Sequence, residues 1–190
     1  MLQPRLIVPP SGPVTAHSIR LLPDERLMPS LKQAVSIILA RSGCQSAFII
    51  TAVGSLQNAT IRLANASRID GDGTAGNDIK TYNQRFEVVS LVGTFSANDG
   101  CHVHISLSDF EGNTIGGHLI DGTIFTTCEI VLGTADGVKF SREIDYSTGY
   151  NELKVTQLLP KRQSHLRNVI PPAILLLVAA GIMGGRLKAR

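Results

Sequence analysis

The chain has 190 residues, of which 43% are hydrophobic and 17% charged, which suits one globular domain and excludes a disordered chain or two ordinary domains. The formal net charge of +3 divides unevenly: residues 1–155 hold 12 basic and all 15 acidic residues, a net of −3, while residues 156–190 hold 6 basic residues and no acid. A body that gripped DNA through its phosphates would carry the positive charge itself, so this distribution weakens direct DNA binding.

Residues 1–13 contain four prolines and read as a flexible lead-in; they carry no long apolar run, so no secretory signal is visible. Thr15–Leu22 has strand character, Pro23-Asp24-Glu25 reads as a turn, and Ser30 is a candidate helix cap. Leu31, Ala34, Val35, Ile38 and Leu39 then follow the spacing of an amphipathic helix, which Gly43 ends. Beyond it the pattern is β. Ala47–Val53 is a continuous apolar run, Gly54-Ser55 is expected to break it, and Ala59–Leu63 resumes the alternation. Ser67–Asn77 is rich in Gly and Asp and reads as a solvated turn; the regular ligand spacing and bidentate Glu of a calcium loop are missing. Phe86–Phe95, Cys101–Asp109, Thr114–Leu119 and Thr123–Leu132 are further strands, each bounded by Gly, Asn or Asp. Many strands and one helix make an α+β fold, with a mixed or antiparallel sheet and the helix packed on it.

The chemistry concentrates in Cys101-His-Val-His-Ile-Ser-Leu-Ser-Asp109 and Asn113-Thr-Ile-Gly-Gly-His-Leu119. Side chains alternate along a strand, so His102, His104, Ser106 and Ser108 share one face, and Val103, Ile105 and Leu107 share the other. Phe110-Glu111-Gly112 fits a three-residue hairpin loop whose last residue takes positive φ. That loop sets Asp109 opposite Asn113 and His104 opposite His118, with His102 on the diagonal; a two-residue loop sends His118 to the other face. Three convergent imidazoles suit Zn²⁺ or a similar borderline metal and leave a coordination position open. The alternative is a set of half-buried strand histidines bonded to nearby carbonyls. Gly116-Gly117 would let the backbone pass close to the metal or to a neighbouring chain. His17 and His165, near the ends, are expected at the surface.

In an enzyme form such a metal would lower the pKa of a bound water, and Glu87, Glu129 and Asp121 are the candidate proton handlers. Glu87 and Glu129 lie inside apolar strands, either at an edge facing solvent or paired; Asp121 is a candidate to orient an imidazole. Cys101 has the wrong parity to join the cluster, and Cys128 reads as a small core residue. With Cys44 these are too few and too scattered for a disulfide framework, so an intracellular, reducing compartment, cytoplasmic or nuclear, is expected.

Gln84-Arg-Phe-Glu-Val-Val-Ser-Leu-Val-Gly-Thr-Phe95, Cys101-His-Val-His-Ile-Ser106, Ile115-Gly-Gly-His-Leu-Ile-Asp-Gly122 and Cys128-Glu-Ile130 together resemble the plants-and-prokaryotes-conserved (PPC) domain. The resemblance covers residues 14–155 and includes Ser18–Pro23 and Val53–Ala59. It implies an α+β fold assembled as a homotrimer, with the three histidines of prokaryotic-type members falling on His102, His104 and His118. Plant members join the domain to an AT-hook and act as DNA-associated regulators. This chain has no Arg-Gly-Arg-Pro core, so it looks like the prokaryotic or non-plant type, and DNA is implied as a partner only by that analogy.

Residues 156–190 form a basic tail around an uncharged stretch, residues 169–185, flanked by Lys161, Arg162 and Arg167 before and Arg186, Lys188 and Arg190 after. Seventeen apolar residues is the lower limit for crossing a bilayer, so a tail anchor is one reading. An apolar segment docked on the trimer and an unstructured basic extension are the others.

Overall fold

A computed structural model describes residues 9–65, 78–98 and 100–159. The elements run β1 (Val14–Leu21), α1 (Leu27–Ser42), β2 (Ser46–Arg62), β3 (Ile79–Tyr82), β4 (Phe86–Ser96), β5 (Cys101–Ser108), β6 (Thr114–Ala135), β7 (Val138–Asp145) and β8 (Tyr150–Gln157). The fold is α+β, as expected. Strands β1 to β6 form one antiparallel sheet in the order β1-β6-β5-β4-β2-β3, and β7 and β8 form a separate hairpin. An additional antiparallel pairing of β2 with β6 closes the ladder β2-β4-β5-β6 on itself.

The helix buries Leu27, Leu31 and Val35, one turn apart, in a single stripe against the sheet. It starts four residues before Leu31, so Ser30 lies within it rather than capping it. Arg26 occupies the cap position and makes no side-chain cap bond, and the first turn holds no acid. The missing acceptor comes from β6: Asp121 Oδ1 accepts the Met28 N–H at 3.1 Å. At the other end Gly43 takes φ 69°, and its N–H bonds the Leu39 carbonyl at 2.9 Å.

Two expected breaks are bulges instead. β2 continues through Gly54-Ser55, slipping register against β6 between Gly54 and Leu56. A Cβ at Gly54 would lie 2.4 Å from the Thr127 carbonyl oxygen, so glycine lets the two strands pass closely rather than ending one. The strands expected at Thr114–Leu119 and Thr123–Leu132 are one strand of 22 residues. Leu119 pairs with Ile61 and Asp121 with Thr60, which leaves Ile120 as the extra residue.

The core joins α1 to the inward faces of β2, β4, β5 and β6. On β5, Val103, Ile105 and Leu107 are 1%, 3% and 0% exposed, which leaves the opposite face to His102, His104, Ser106 and Ser108. Residues 1–8 of the lead-in, the Ser67–Asn77 loop and residues 160–190 of the tail, with the 169–185 stretch, lie outside the described residues. Among the described residues no helix is long and apolar enough to cross a membrane.

Candidate metal centre

The hairpin that sets the site is built by Asp109 and Gly112. Asp109 Oδ1 accepts the N–H of Glu111 at 3.0 Å and of Asn113 at 2.9 Å, and Gly112 takes φ 85°. The Asp109 N–H bonds the Asn113 carbonyl at 3.0 Å, and the ladder runs back from Ser108–Thr114 to His104–His118. The three-residue loop and its register are as the sequence requires. Its outcome is a cluster in which one nitrogen or other ligand atom from each of His102, His104 and His118 lies within 4.8 Å of the others.

His102 Nε2 and His104 Nε2 are 2.9 Å apart, a distance at which one imidazole donates to the other. The ring centroids are 4.9 to 5.5 Å apart. His118 Nδ1 is buried and has no hydrogen-bond partner among the described residues. A buried polar atom without a partner is unusual. The His118 ring lies 5.0 and 5.5 Å, centroid to centroid, from the other two imidazoles, and three nitrogen donors are the set that borderline divalent metals accept. The residues therefore fit a metal ion.

Electrostatics favour the ligand form. Burial, and after it the Arg62 guanidinium and the other two histidines, push the His118 pKa down to about 4. His102 is lowered by burial first, then by His104 and Arg142, with Glu152 opposing. Both rings are thus neutral near pH 7, as metal ligation demands.

Charged neighbours flank the cluster on both sides. Arg62 on β2 pairs with His118 in the β2–β6 ladder. Thr94 on β4 pairs with His102, and its Oγ1 accepts Arg142 Nη2 at 3.0 Å. Arg142 Nη1 donates to the Asn151 carbonyl at 3.2 Å, while its Nε is buried with no partner among the described residues. The two glycines before His118 serve these ladders: a Cβ at Gly117 would lie 2.5 Å from the Arg62 carbonyl oxygen, and one at Gly116 would lie 2.7 Å from that of Ile105.

The three carboxylates singled out from the sequence lie outside this group. Glu87 is exposed and sits opposite Ser108, four residues and about 13 Å along the strand from His104. Glu129 is exposed between Arg20 and Val53. Asp121 is committed to the helix: besides Met28 it accepts from Arg26 Nε at 2.6 Å and forms an ion pair with the Arg26 guanidinium. The carboxylate that acts on the cluster is Glu152 of β8, which the sequence did not single out. Arg62 and Arg142 were missed too, because their approach depends on a bulge and on the β7–β8 hairpin. His17, expected at the surface, is half-buried with Nε2 3.1 Å from Thr134 Oγ1. Cys101 and Cys128 stand apart from the cluster; Cys128 is fully buried and its thiol is pushed up to about 11 by burial and Glu129.

Comparison with known proteins adds three findings. The model of the Plants and Prokaryotes Conserved domain, abbreviated PCC there and PPC above, matches residues 10–136. Two curated relatives, each called bifunctional protein GlmU and each from a Synechococcus strain, are 35% and 37% identical over 150 and 147 residues. Those alignments take in 78% and 77% of this chain, which spans only 22% and 21% of the relatives' length. Among solved structures, a hypothetical protein from Salmonella cholerae-suis is 28% identical with a TM-score of 0.66, covering 78% of this chain and 98% of its own. A plant- and prokaryote-conserved (PPC) protein from Pyrococcus horikoshii is 25% identical with a TM-score of 0.60, covering 78% and 99%. A metal-containing protein from Archaeoglobus fulgidus, 24% identical with a TM-score of 0.62 and covering 76% and 96%, shares the fold.

Proposed function

The chain belongs to the Plants and Prokaryotes Conserved domain family, and from that premise we propose that it is a homotrimeric module holding a divalent, zinc-like metal on His102, His104 and His118. The observation that carries the metal is the convergence of one ligand atom from each of His102, His104 and His118 to within 4.8 Å of the others. A bound ion supplies a Lewis-acidic centre with a position open to a small ligand. The chain's own part is to present three imidazoles from one hairpin and to hold two of them, His102 and His118, neutral by burial. Glu152 is the acidic residue whose charge reaches the cluster, where it favours the protonated form of His102.

Support for self-association lies on the surface beside the histidines. Val92, opposite His104, is 53% exposed, and Ile120, two residues beyond His118, is 39% exposed. Ile50 and Val53 on β2 are also exposed. Apolar side chains grouped around a site are the usual material of a subunit contact.

Elemental analysis of the purified full chain tests the metal, with His118→Ala as the control. A native chain that carries no metal and cannot be loaded with Zn²⁺ ends the reading. Sedimentation equilibrium tests the trimer, which requires a mass of about three times 20.3 kDa. DNA association, the second reading from the sequence, is tested by a salt-dependent shift assay on the full chain.

A further inference from the structure

We infer that the three-histidine centre receives an oxyanion, a carboxylate or phosphate group on a small molecule, and that Arg62 and Arg142 bind its charge. The inference rests on the metal reading above and extends it to the class of ligand.

The ladder places Arg62 directly across from His118 on the β2 side. On the opposite flank, Arg142 is anchored through Thr94, the residue across from His102. The histidines therefore lie between two guanidiniums carried by different parts of the fold.

Among the described residues neither arginine forms a salt bridge. The salt bridges among the described residues are Arg26–Asp121 and Lys154–Glu143. Glu152, the acid whose charge reaches His102, has Oε1 occupied by Thr148 Oγ1 at 3.1 Å. Arg142 spends Nη1 and Nη2 on neutral oxygens and leaves a buried Nε–H without an acceptor. Among the described residues, two guanidiniums, one carboxylate and a divalent ion leave three uncompensated positive charges around one face. Like charges oppose metal loading when they are partly shielded from water. The arrangement becomes favourable when an anion joins it, one oxygen toward the open metal position and the rest toward the arginines. Guanidinium is suited to this partner because its fixed fork of donors matches carboxylate and phosphate oxygens.

The test uses the full chain loaded with Co²⁺, whose visible spectrum reports ligand exchange. Inorganic phosphate and acetate are titrated separately, which distinguishes the two sources of the oxyanion. The expected result is a saturable spectral change with one of them. Its affinity falls about tenfold in Arg62→Gln and in Arg142→Gln, the loss of one charge-assisted hydrogen bond, while Co²⁺ stoichiometry is unchanged. Arg142→Lys, which keeps the charge and loses the fork, falls between. No spectral change with either anion overturns the inference, as does native affinity in Arg62→Gln. Arg142 is tied to Thr94 and Asn151, so if its variants unfold, Arg62→Gln alone decides. If Co²⁺ does not bind, the metal reading fails by itself, and calorimetry of the metal-free chain with the same two anions takes over. Arg62-dependent heat then sustains the arginine pair as an anion site, and its absence sinks it.

Discussion

Replacing Asp121 with alanine should destabilise the chain by about 2 kcal/mol and leave the histidine site intact. The side chain is 13% exposed and lies on β6, but its work is done at the start of α1. Oδ1 accepts the Met28 N–H, so it stands in for the cap residue that Arg26 does not supply. Loss of such an acceptor costs about 1 kcal/mol. The negative charge also faces the positive end of a helix whose first turn has no acid of its own, worth about 0.5 kcal/mol. The ion pair with Arg26 adds about 0.5 kcal/mol, because the arginine is 64% exposed and screened. For a urea slope of about 2 kcal/mol/M, the midpoint should fall by about 1 M. Urea unfolding followed by far-ultraviolet circular dichroism at one protein concentration measures this, beside metal content by elemental analysis. Asp121→Asn, which keeps an acceptor, should lose about half as much. A midpoint shift below about 0.2 M in Asp121→Ala would refute the capping argument. A chain that stays as stable as native but loses its metal would show that Asp121 serves the histidines after all.

Three further outcomes are expected. His118→Ala should weaken Zn²⁺ binding on the order of 100-fold or more, since removing even an outer partner of a ligand costs about 10–100-fold; competition with a chelator of known affinity reads it. The metal-free chain should lose stability as pH falls from 6.5 towards 4. His118 resists protonation until about 4 in the folded state, whereas the unfolded chain takes the proton near 6.5. Urea midpoints across that window should flatten in His118→Ala, and an unchanged slope would contradict the assignment. Gly117→Ala should cost about 1–3 kcal/mol and reduce metal affinity, because its Cβ meets the Arg62 carbonyl and pushes β2 away from β6; equal thermal midpoints for variant and native would count against it.

What was legible in the sequence is local. The α1 stripe, the alternation of β5 and the Asp109–Asn113 turn each depend on neighbours within a few residues, and each is found where the pattern puts it. The convergence of His102, His104 and His118 follows from one turn type, so it was legible too. What was not legible depends on distant approach. Gly54 and Asp121-Gly122 look like breaks in isolation and become bulges only when β2 and β6 lie side by side. The cap on α1 comes from a residue 93 positions away. β3 is four residues long and largely exposed, and β7 and β8 turn mostly polar residues to solvent, so no apolar period announces them.

The closed ladder also dictates an order of assembly. β5 meets β6 across a three-residue turn, so the imidazole-bearing hairpin pays almost no entropy to zip. β2 must search for β6 over spans as long as that from Ala47 to Thr134. The ring therefore shuts last along the β2–β6 seam, and that seam brings Arg62 to His118. On that order the three nitrogens should come together before Arg62 reaches His118, and stopped-flow refolding should show a fast phase and a slow one, a single phase counting against it.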